Sequence, residues 1–248
     1  MKDLKSIGSE DLPTHNRHTL QGLALQEGIS LFGVADLRPI REAFHPSLQG
    51  AASKLPYGIS LGLRLCDAIL DQLQDGPTLL YKHHYKAANY RLDQVALRFL
   101  DYLQQQGYSA LPIPASQIVD WEGQKGHLSH KWVARCAGLG WIGRSSLLVH
   151  PDHGARVRYV TILTDMPLPP DSALSLDCGN CRACISLCPA GAISEAGYDL
   201  SACVEKLKDF SSRRGIGVLI CGMCVKACPY SRTGAGSRSD ETQDKTQR

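Results

Sequence analysis

The chain has 248 residues, a formal charge of +3 and 43% hydrophobic residues, so it can build a packed core as one large domain or two smaller ones. The small net charge gives no argument for nucleic-acid binding by itself. The opening MKDLKSIGSEDLP lacks an apolar region of signal-peptide length, and no window reaches the length of a membrane span. We therefore expect a cytoplasmic protein without a membrane partner.

Helical and extended segments alternate in the first half of the chain, which favours an α/β fold. Residues 17–29 are helix-like, and the apolar LFGVAD and residues 57–65 predict two strands. Helical character returns at residues 66–74. Thr78 is a suitable N-cap for a long helix. The apolar face of that helix is formed by residues three and four positions apart, namely Leu92, Val95, Ala96, Phe99, Leu100 and Leu103.

The middle of the chain predicts further strands around one helix. Residues 108–114 favour an edge strand because of their two prolines, and residues 128–137 favour a helix. LLV and RVRYVTILTD predict two strands, and the intervening HPDHG has turn residues. We therefore expect these two strands to form a hairpin.

A proline-rich stretch at residues 166–177 marks a change in composition. We place a domain boundary there, between an α/β substrate or cofactor domain at residues 1–168 and a cysteine-rich domain at residues 169–232. Residues 233–248 carry mixed charge and almost no apolar side chain, which predicts a disordered tail.

Eight of the ten cysteines lie in the last third of the chain. They form the runs Cys178-x2-Cys181-x2-Cys184-x3-Cys188-Pro189 and Cys221-x2-Cys224-x3-Cys228-Pro229, with Cys203 between them. In bacterial proteins with this spacing, three thiolates of a run hold one [4Fe-4S] cluster and the cysteine before proline binds the other cluster. The rule predicts two clusters, one on Cys178, Cys181, Cys184 and Cys228, the other on Cys188, Cys203, Cys221 and Cys224.

Two other uses of cysteine fit the pattern less well. Zinc sites use paired C-x2-C knuckles without a C-x3-C-P ending. Disulfides need an oxidising compartment, and no feature of the sequence indicates export. We expect Cys66 and Cys136, which lie outside the two runs, to be small buried side chains.

A glycine-rich loop precedes the cysteines. Gly138, Gly140 and Gly143 satisfy G-x-G-x-x-G, but a dinucleotide fingerprint follows a strand and opens a helix. Here a helix is predicted before the glycines and a strand after them. We therefore expect the loop to turn sharply or to pass close to another group, with Trp141 packed below it. Arg144 follows the loop and either binds an anionic group or caps the turn.

The sequence also offers candidates for proton transfer. His127, His130 and Lys131 lie at the start of the helix at residues 128–137, and histidine titrates near neutral pH. A polar and aromatic group opens the long helix, formed by Tyr81, His84, Tyr85, Lys86, Asn89 and Tyr90. We select His130 and Tyr85 as candidate catalytic proton donors, with polar surface as the alternative for each.

The segments AGLGWIGRSSLLV, TILTDMPLPPD, CGNCRACISLCPAGAI and ICGMCVKACPYS resemble the epoxyqueuosine reductase family in order and letters. The resemblance spans residues 78–231 and extends to the related reductive dehalogenases. It implies a nitroreductase-like, cobalamin-type α/β domain followed by a bacterial two-[4Fe-4S] ferredoxin-like module. With it we assign cofactor binding to the loop before the clusters, at Gly138, Gly140, Trp141, Gly143 and Arg144.

The sequence departs from that family at two places. The family's catalytic Asp in a D-x-x-P stretch has no counterpart in DWEGQKGHLSHKWVARC, where His127 and His130 hold the nearer positions. The family's C-terminal helical-repeat extension, which helps to hold tRNA, is not expected after Cys228. Both departures indicate a short branch of the family.

Three functions follow from this pattern. The main hypothesis is an iron-sulfur oxidoreductase that passes electrons from a ferredoxin- or flavodoxin-like donor through two [4Fe-4S] clusters. The acceptor is cobalamin or a substrate on the N-terminal domain, either a small molecule or a modified nucleoside. One alternative is an electron-transfer or adaptor protein without its own catalysis. The other is an epoxyqueuosine reductase that acts on tRNA.

Overall fold

The computed structural model describes residues 11–229. The predicted disordered tail, residues 233–248, lies outside the described residues. The helices are α1 (Leu12–Gln26), α2 (Pro46–Ala52), α3 (Asp67–Asp71), α4 (Leu79–Gln105), α5 (His130–Cys136), α6 (Ala183–Ser186), α7 (Leu200–Ser212) and α8 (Met223–Ala227), with a 3-10 helix at Arg38–Ala43. None of the helices in residues 11–229 combines the length and apolar character that a membrane span requires.

The strands are β1 (Leu31–Asp36), β2 (Tyr57–Arg64), β3 (Ala110–Ile113), β4 (Trp141–Ile142), β5 (Leu148–Val149) and β6 (Val157–Thr164). One sheet has the order β1-β2-β6-β3. In it, β1 and β2 are antiparallel with Val34 opposite Ile59, and β3 and β6 are antiparallel with Ala110 opposite Thr164. The fold is therefore mixed α/β, as predicted.

The predicted hairpin between LLV and RVRYVTILTD is wrong. Strand β5 pairs with β4, whereas β6 lies between β2 and β3 in the larger sheet. The turn residues do close on themselves, because His150 and Gly154 exchange two backbone hydrogen bonds of 2.9 Å. A tight turn fixes only the local chain direction, and the pairing partner is decided by which sheet buries the apolar strand.

Helix α4 has the predicted beginning and apolar face. The hydroxyl of Thr78 accepts a hydrogen bond of 3.1 Å from the backbone N–H of Tyr81, which satisfies one of the free donors at the helix start. Residues of the apolar face join β-strand residues and helix α1 in one core. That core includes Leu20, Val34, Ile59, Leu61, Leu92, Val95, Ala96, Phe99, Leu103, Val160 and Ile162.

Helix α1 begins at Leu12, five residues before the predicted start at residue 17. Asp11 is its N-cap, with a side-chain oxygen 3.2 Å from the Thr14 backbone nitrogen, and Pro13 occupies the first turn. An acidic cap followed by proline is a recognised helix start, so the sequence contained the signal.

The chain divides into two compact units. Within residues 11–229, the first comprises residues 11–64, 85–139 and 158–175, and the second comprises residues 65–84, 140–157 and 176–229. The second unit therefore contains two segments that the sequence prediction placed in the domain at residues 1–168.

The prediction that Cys66 is buried is wrong, because its side chain is exposed. Its backbone N–H donates a hydrogen bond of 2.9 Å to the Nε2 atom of His84. The residue precedes the short helix α3, at a boundary between a strand and a helix where the side chain has no core to enter.

Candidate functional site

The eight cysteines of the two runs all belong to the second unit, and all are free thiols with partly buried side chains. Cys184 lies in helix α6, Cys203 in α7 and Cys224 in α8, while the others lie in the loops at the ends of these helices. Short helices and turns thus bring thiols from three parts of the sequence into one unit.

Four of these thiols form a first thiol group: Cys178, Cys181, Cys184 and Cys228. Burial raises the pKa of the Cys184 thiol, and the nearby thiols of Cys178, Cys181 and Cys228 raise it further by charge repulsion. Because such repulsion falls off with distance, each of these three sulfur atoms lies near that of Cys184. Cys228 is 44 positions from Cys184 in the sequence, so the fold brings it to this group.

The remaining four form a second thiol group: Cys188, Cys203, Cys221 and Cys224. Burial raises the pKa of Cys224 to about 12, with further repulsion from Cys221, Cys203 and Cys188. Burial and repulsion from Cys203 and Cys188 also raise the pKa of Cys221 to about 11. Cys184 adds repulsion at Cys224, so the two groups adjoin.

A single metal ion makes a different demand from a cluster. Within residues 11–229, no three His, Cys, Asp or Glu side chains are arranged to hold one ion together. In a [4Fe-4S] cluster each of the four cysteine thiolates binds a different iron atom.

The glycine-rich loop packs tightly against strand β5 and the first thiol group. A Cβ atom on Gly140, whose φ is +153°, would lie 2.1 Å from the backbone oxygen of Val149. A Cβ atom on Gly143 would lie 2.7 Å from a Val149 methyl and 3.1 Å from the Cys178 sulfur. Trp141 is buried between them. The loop needs glycine because its backbone passes close to protein atoms.

Gly138 has a different neighbour, since its Cβ atom would lie 2.9 Å from the backbone oxygen of Ser172. Helix α5 ends at Cys136 before the motif, and strand β4 lies inside it. This order is the reverse of a dinucleotide-binding turn, which opens a helix at its glycines.

Arg144 binds the chain around the first cysteine run. Its Nε donates to the backbone oxygen of Cys181 at 3.0 Å and its Nη2 to that of Gly179 at 2.7 Å. Its Nη1 pairs with Glu195 at 3.1 Å, and Glu195 also pairs with Arg182. The contacts of this predicted cofactor-binding residue are therefore with the loop that carries Cys178 and Cys181.

A separate polar cluster lies in the first unit around Tyr85. The hydroxyl of Tyr85 is 3.1 Å from that of Ser116, and the Arg158 guanidinium lies 4.7 Å from the centre of the Tyr85 ring. Arg158 also donates to the Asn89 side chain at 2.9 Å and to the Ala115 oxygen at 3.2 Å. Tyr85 and Asn89 are four residues apart on α4 and share a face.

The surroundings of Tyr85 alter its acidity. Burial by itself raises the pKa of the phenol, but the charge of Arg158 and hydrogen bonds with Ser116 and Asn89 outweigh burial. The pKa therefore lies below its ordinary value near ~10. A phenol of lowered pKa gives up its proton more readily than an ordinary tyrosine.

His130 is engaged within the protein through both ring nitrogens. Nε2 lies 2.9 Å from the backbone oxygen of Pro114 and Nδ1 lies 2.9 Å from the hydroxyl of Thr161. Because a carbonyl only accepts, the Nε2–H donates to Pro114 and Nδ1 accepts from Thr161. Burial lowers the pKa of His130 to about 4, so the ring is neutral at pH 7. This geometry favours a positioning role over the proton donation predicted from the sequence.

Sequence reasoning missed Arg158, and it named Asn89 only as a member of the polar group that opens the long helix. Arg158 stands in a strand whose other residues are buried, and Asn89 is a polar residue with only 7% of its surface exposed. A charged residue within an apolar strand is a usable signal, because it must find a partner there. The partner itself lies 69 positions away, and local pattern does not identify it.

No protein-family profile matches the chain. Among curated proteins, the epoxyqueuosine reductase of Listeria monocytogenes is 35% identical over 116 residues, which cover 43% of this chain and 31% of the relative. That of Aliivibrio fischeri is 29% identical over 163 residues, covering 62% of this chain and 41% of the relative. The chain thus spans less than half the length of these curated relatives.

Solved structures share the fold. A reductive dehalogenase whose structure suggests a mechanism for B12-dependent dehalogenation has a TM-score of 0.71 and 20% identity, over 92% of this chain and 33% of its own. An epoxyqueuosine reductase bound to a tRNA-Tyr epoxyqueuosine-modified stem loop has a TM-score of 0.62 and 18% identity, over 89% of this chain and 66% of its own. Together with the sequence matches, this shared fold confirms the resemblance of the chain to the epoxyqueuosine reductase-like family.

Proposed function

We propose that this chain is an iron-sulfur oxidoreductase of the epoxyqueuosine reductase-like class that carries two [4Fe-4S] clusters. The observation that supports the proposal is the placement of all eight cysteines of the two spaced runs in one compact unit, where the thiols of Cys184 and Cys224 lie close enough to other thiols of the runs to be repelled by them. Four cysteine thiolates are the complete ligand set of a [4Fe-4S] cluster. The fold we propose for this region is the two-cluster ferredoxin-like module.

The chemistry of the two thiol groups suits the positively charged iron-sulfur core of a cluster. Burial and mutual repulsion make the thiolate form costly, as the raised pKa values of Cys221 and Cys224 show. Iron binding replaces the thiol proton and compensates the negative charge. When bound, the clusters supply one-electron transfer. The residues of this chain hold the thiols in place and limit access of water to them.

The Tyr85 cluster favours an enzyme over an adaptor protein. An adaptor has no need of a partly buried phenol with a lowered pKa beside a partly buried arginine and a buried asparagine. We assign the proton-donor role to Tyr85, and we assign Arg158 the role of holding its ring and lowering its pKa. His130 would hold the Pro114 carbonyl and the Thr161 hydroxyl in place.

The proton-donor role has a direct test. A Tyr85→Phe variant should lose roughly 10²–10⁴ of the turnover rate, because general-acid catalysis typically contributes that much. Its iron content and cluster EPR signals should match the wild type. Tyr90→Phe is the matched control, since Tyr90 is on the same helix with 68% of its surface exposed. Equal loss in both variants, or in neither, would exclude the role.

Cobalamin stays a prediction and enters no step of the mechanism. The support is the shared fold with a reductive dehalogenase of B12-dependent chemistry, which fits the nitroreductase-like, cobalamin-type assignment of the first domain. The loop residues selected for cofactor binding instead contact protein, as Gly140 and Gly143 do at Val149. These contacts provide no sign of a corrin site.

The substrate and the electron donor are likewise proposed. The tRNA stem loop in a structural neighbour supports a modified nucleoside in tRNA as the substrate class, with a small molecule as the second class. A ferredoxin- or flavodoxin-like protein is the proposed donor, and a cytoplasmic location stays a prediction. Complementation of a queuosine-deficient strain tests the nucleoside assignment. Failure of a cluster-loaded protein to complement would favour the small molecule.

Anaerobic isolation followed by iron, sulfide, zinc and cobalamin analysis tests the central proposal. Two clusters require about eight iron and about eight sulfide atoms per chain. Colourless protein that contains zinc and no iron would overturn the oxidoreductase assignment. Full cluster loading without turnover of any nucleoside or small-molecule substrate would favour the electron-transfer adaptor.

A further inference from the structure

Arg144 lies outside the first cysteine run and holds the backbone of that run through hydrogen bonds. Its guanidinium donates to the backbone oxygens of Gly179 and Cys181, 2.7 and 3.0 Å away. Both oxygens belong to the short loop between Cys178 and Cys184, which supplies three of the four sulfur atoms in the first thiol group. A guanidinium holds its donors in a rigid planar fork, so the two carbonyl groups are oriented together.

The orientation of a carbonyl determines the orientation of the following amide. A trans peptide unit is planar, and its C=O and N–H bonds point in opposite directions. The described residues contain no cis peptide bond. With the carbonyls of Gly179 and Cys181 directed at Arg144, the N–H groups of Asn180 and Arg182 point away from the guanidinium.

The position of Arg144 is itself held on both sides. Gly143, the preceding residue, lies so close to Cys178 that an added Cβ would be 3.1 Å from its sulfur. On the other side, Glu195 accepts from Nη1 at 3.1 Å, and the Arg144 side chain is only 25% exposed. Glu195 also balances part of the charge, so orientation rather than net charge is the main effect of Arg144 on the loop.

We propose that Arg144 is a positioning residue for the first cluster, which it serves by turning two backbone amides of the 178–184 loop away from itself and toward the thiol side. This inference rests on the proposed function. Amide hydrogen bonds to cluster sulfur stabilise the more negative, reduced cluster and so raise its reduction potential. Arg144 therefore sets the potential of one of the two clusters.

The test is a redox titration of the anaerobically isolated full chain, followed by EPR. Arg144→Met removes all donors, and Arg144→Lys retains the charge but loses the planar fork. In both variants the first cluster should become harder to reduce, by at least a tenfold change in its reduction equilibrium, or about 59 mV for one electron. The second cluster should titrate as in the wild type.

Arg182→Gln is the matched control, because Arg182 lies in the same loop and pairs with Glu195, with 63% of its side chain exposed. Its potentials should be unchanged. The Arg144 variants are also made in a Cys203→Ser background, which is expected to retain only the first cluster. A shifted EPR signal that persists in this background belongs to the first cluster. Arg144→Met could also fail to bind a cluster. In that case, a loss of about four of the about eight iron atoms per chain, with the full iron content retained in Arg182→Gln, supports the inference.

Other outcomes overturn it. Wild-type potentials in Arg144→Met would exclude an influence of Arg144 on the cluster. A shift in Arg144→Met with none in Arg144→Lys would show that charge alone acts, and loss of both clusters would show a general folding role. Wild-type protein without iron would overturn the proposed function together with this inference. If the wild type contains both clusters and the Arg144 variants have wild-type reduction potentials, only the inference is overturned.

Discussion

The two thiol groups differ in how the chain holds them. Three sulfur atoms of the first group come from one segment of seven residues, 178–184, in which Arg144 binds two backbone carbonyls. In the second group, Cys203 is on α7 and Cys224 on α8, while Cys188 precedes both helices. Three thiols of the first group are therefore local and reinforced by one side chain, with Cys228 brought in by the fold, whereas the second group draws its thiols from three separate parts of the chain.

Burial has its largest effect on the pKa values of thiols in the second group. The thiols of Cys221 and Cys224 have pKa values raised to about 11 and about 12, mainly by burial. For Cys184, in the first group, burial and repulsion also raise the pKa. A local segment can place three thiols of the first group before Cys228 joins them, whereas the second group, spread over more parts of the chain, requires the folded unit at more positions. Damage to helix packing should thus affect the second group first.

Removal of Cys203, a predicted ligand distant in sequence from both cysteine runs, should have the largest effect on iron content. Cys203→Ser takes one thiol from the second group, and no neighbouring cysteine of the two runs can replace it without leaving its own position. We expect iron to fall from about eight to about four atoms per chain, with the EPR signal of the first cluster retained. Cys66→Ser, at an exposed thiol outside both runs, should retain all the iron. Unchanged iron and two intact signals in Cys203→Ser would refute the ligand grouping.

Truncation of the α7 anchor tests the dependence on helix packing. The Phe210 side chain is only 1% exposed. It packs closely on Gly76, where an added Cβ would lie 2.8 Å from the ring, and the Arg213 guanidinium lies 4.4 Å from the ring centre. Phe210→Ala should lower the free energy of unfolding by about 3–5 kcal/mol. On chelator challenge, the second cluster should be lost faster than the first.

Leu200→Ala on the same helix is the control, because Leu200 is 46% exposed and surface changes usually alter stability by less than about 0.5 kcal/mol. Chemical denaturation and iron release with time provide the measurements. Equal loss rates for the two clusters in Phe210→Ala would show that α7 supports both groups alike.

Thiol reactivity against pH tests the difference in burial. In iron-free folded protein at pH 9, a thiol with the pKa of Cys221, about 11, is only roughly 1% thiolate, whereas an unfolded cysteine with a pKa near ~8.5 is mostly thiolate. Site-resolved iodoacetamide labelling of Cys221 and Cys224 should therefore keep accelerating up to pH 11 in the folded chain. In urea the rates should level off above about pH 9. Levelling at the same pH in both states would contradict the raised pKa values.

The sequence predicted what depends on local pattern. The spacing of Leu92, Val95 and Phe99 placed the buried face of α4, and Thr78 marked its beginning. The contact of Arg158 on β6 with Asn89 on α4 joins positions 69 apart, so it depends on how the helix packs against the sheet. The noncontiguous second unit and the partner of β5 depend on tertiary packing in the same way, which periodicity does not encode.

Crowding at the first group gives the smallest expected effect. Gly143→Ala places a methyl 2.7 Å from a Val149 methyl and 3.1 Å from the Cys178 sulfur, so both must shift. Overpacking of this kind costs about 1–3 kcal/mol. Because the first group is local, the shift should alter the EPR spectrum of the first cluster and leave the second unchanged. Gly22→Ala, on α1 with no atom within 4 Å of the new Cβ, should change neither spectrum. A change in the second cluster alone would show that the glycine loop supports the other group, and the proposed division between a local and a packed site would then be reversed.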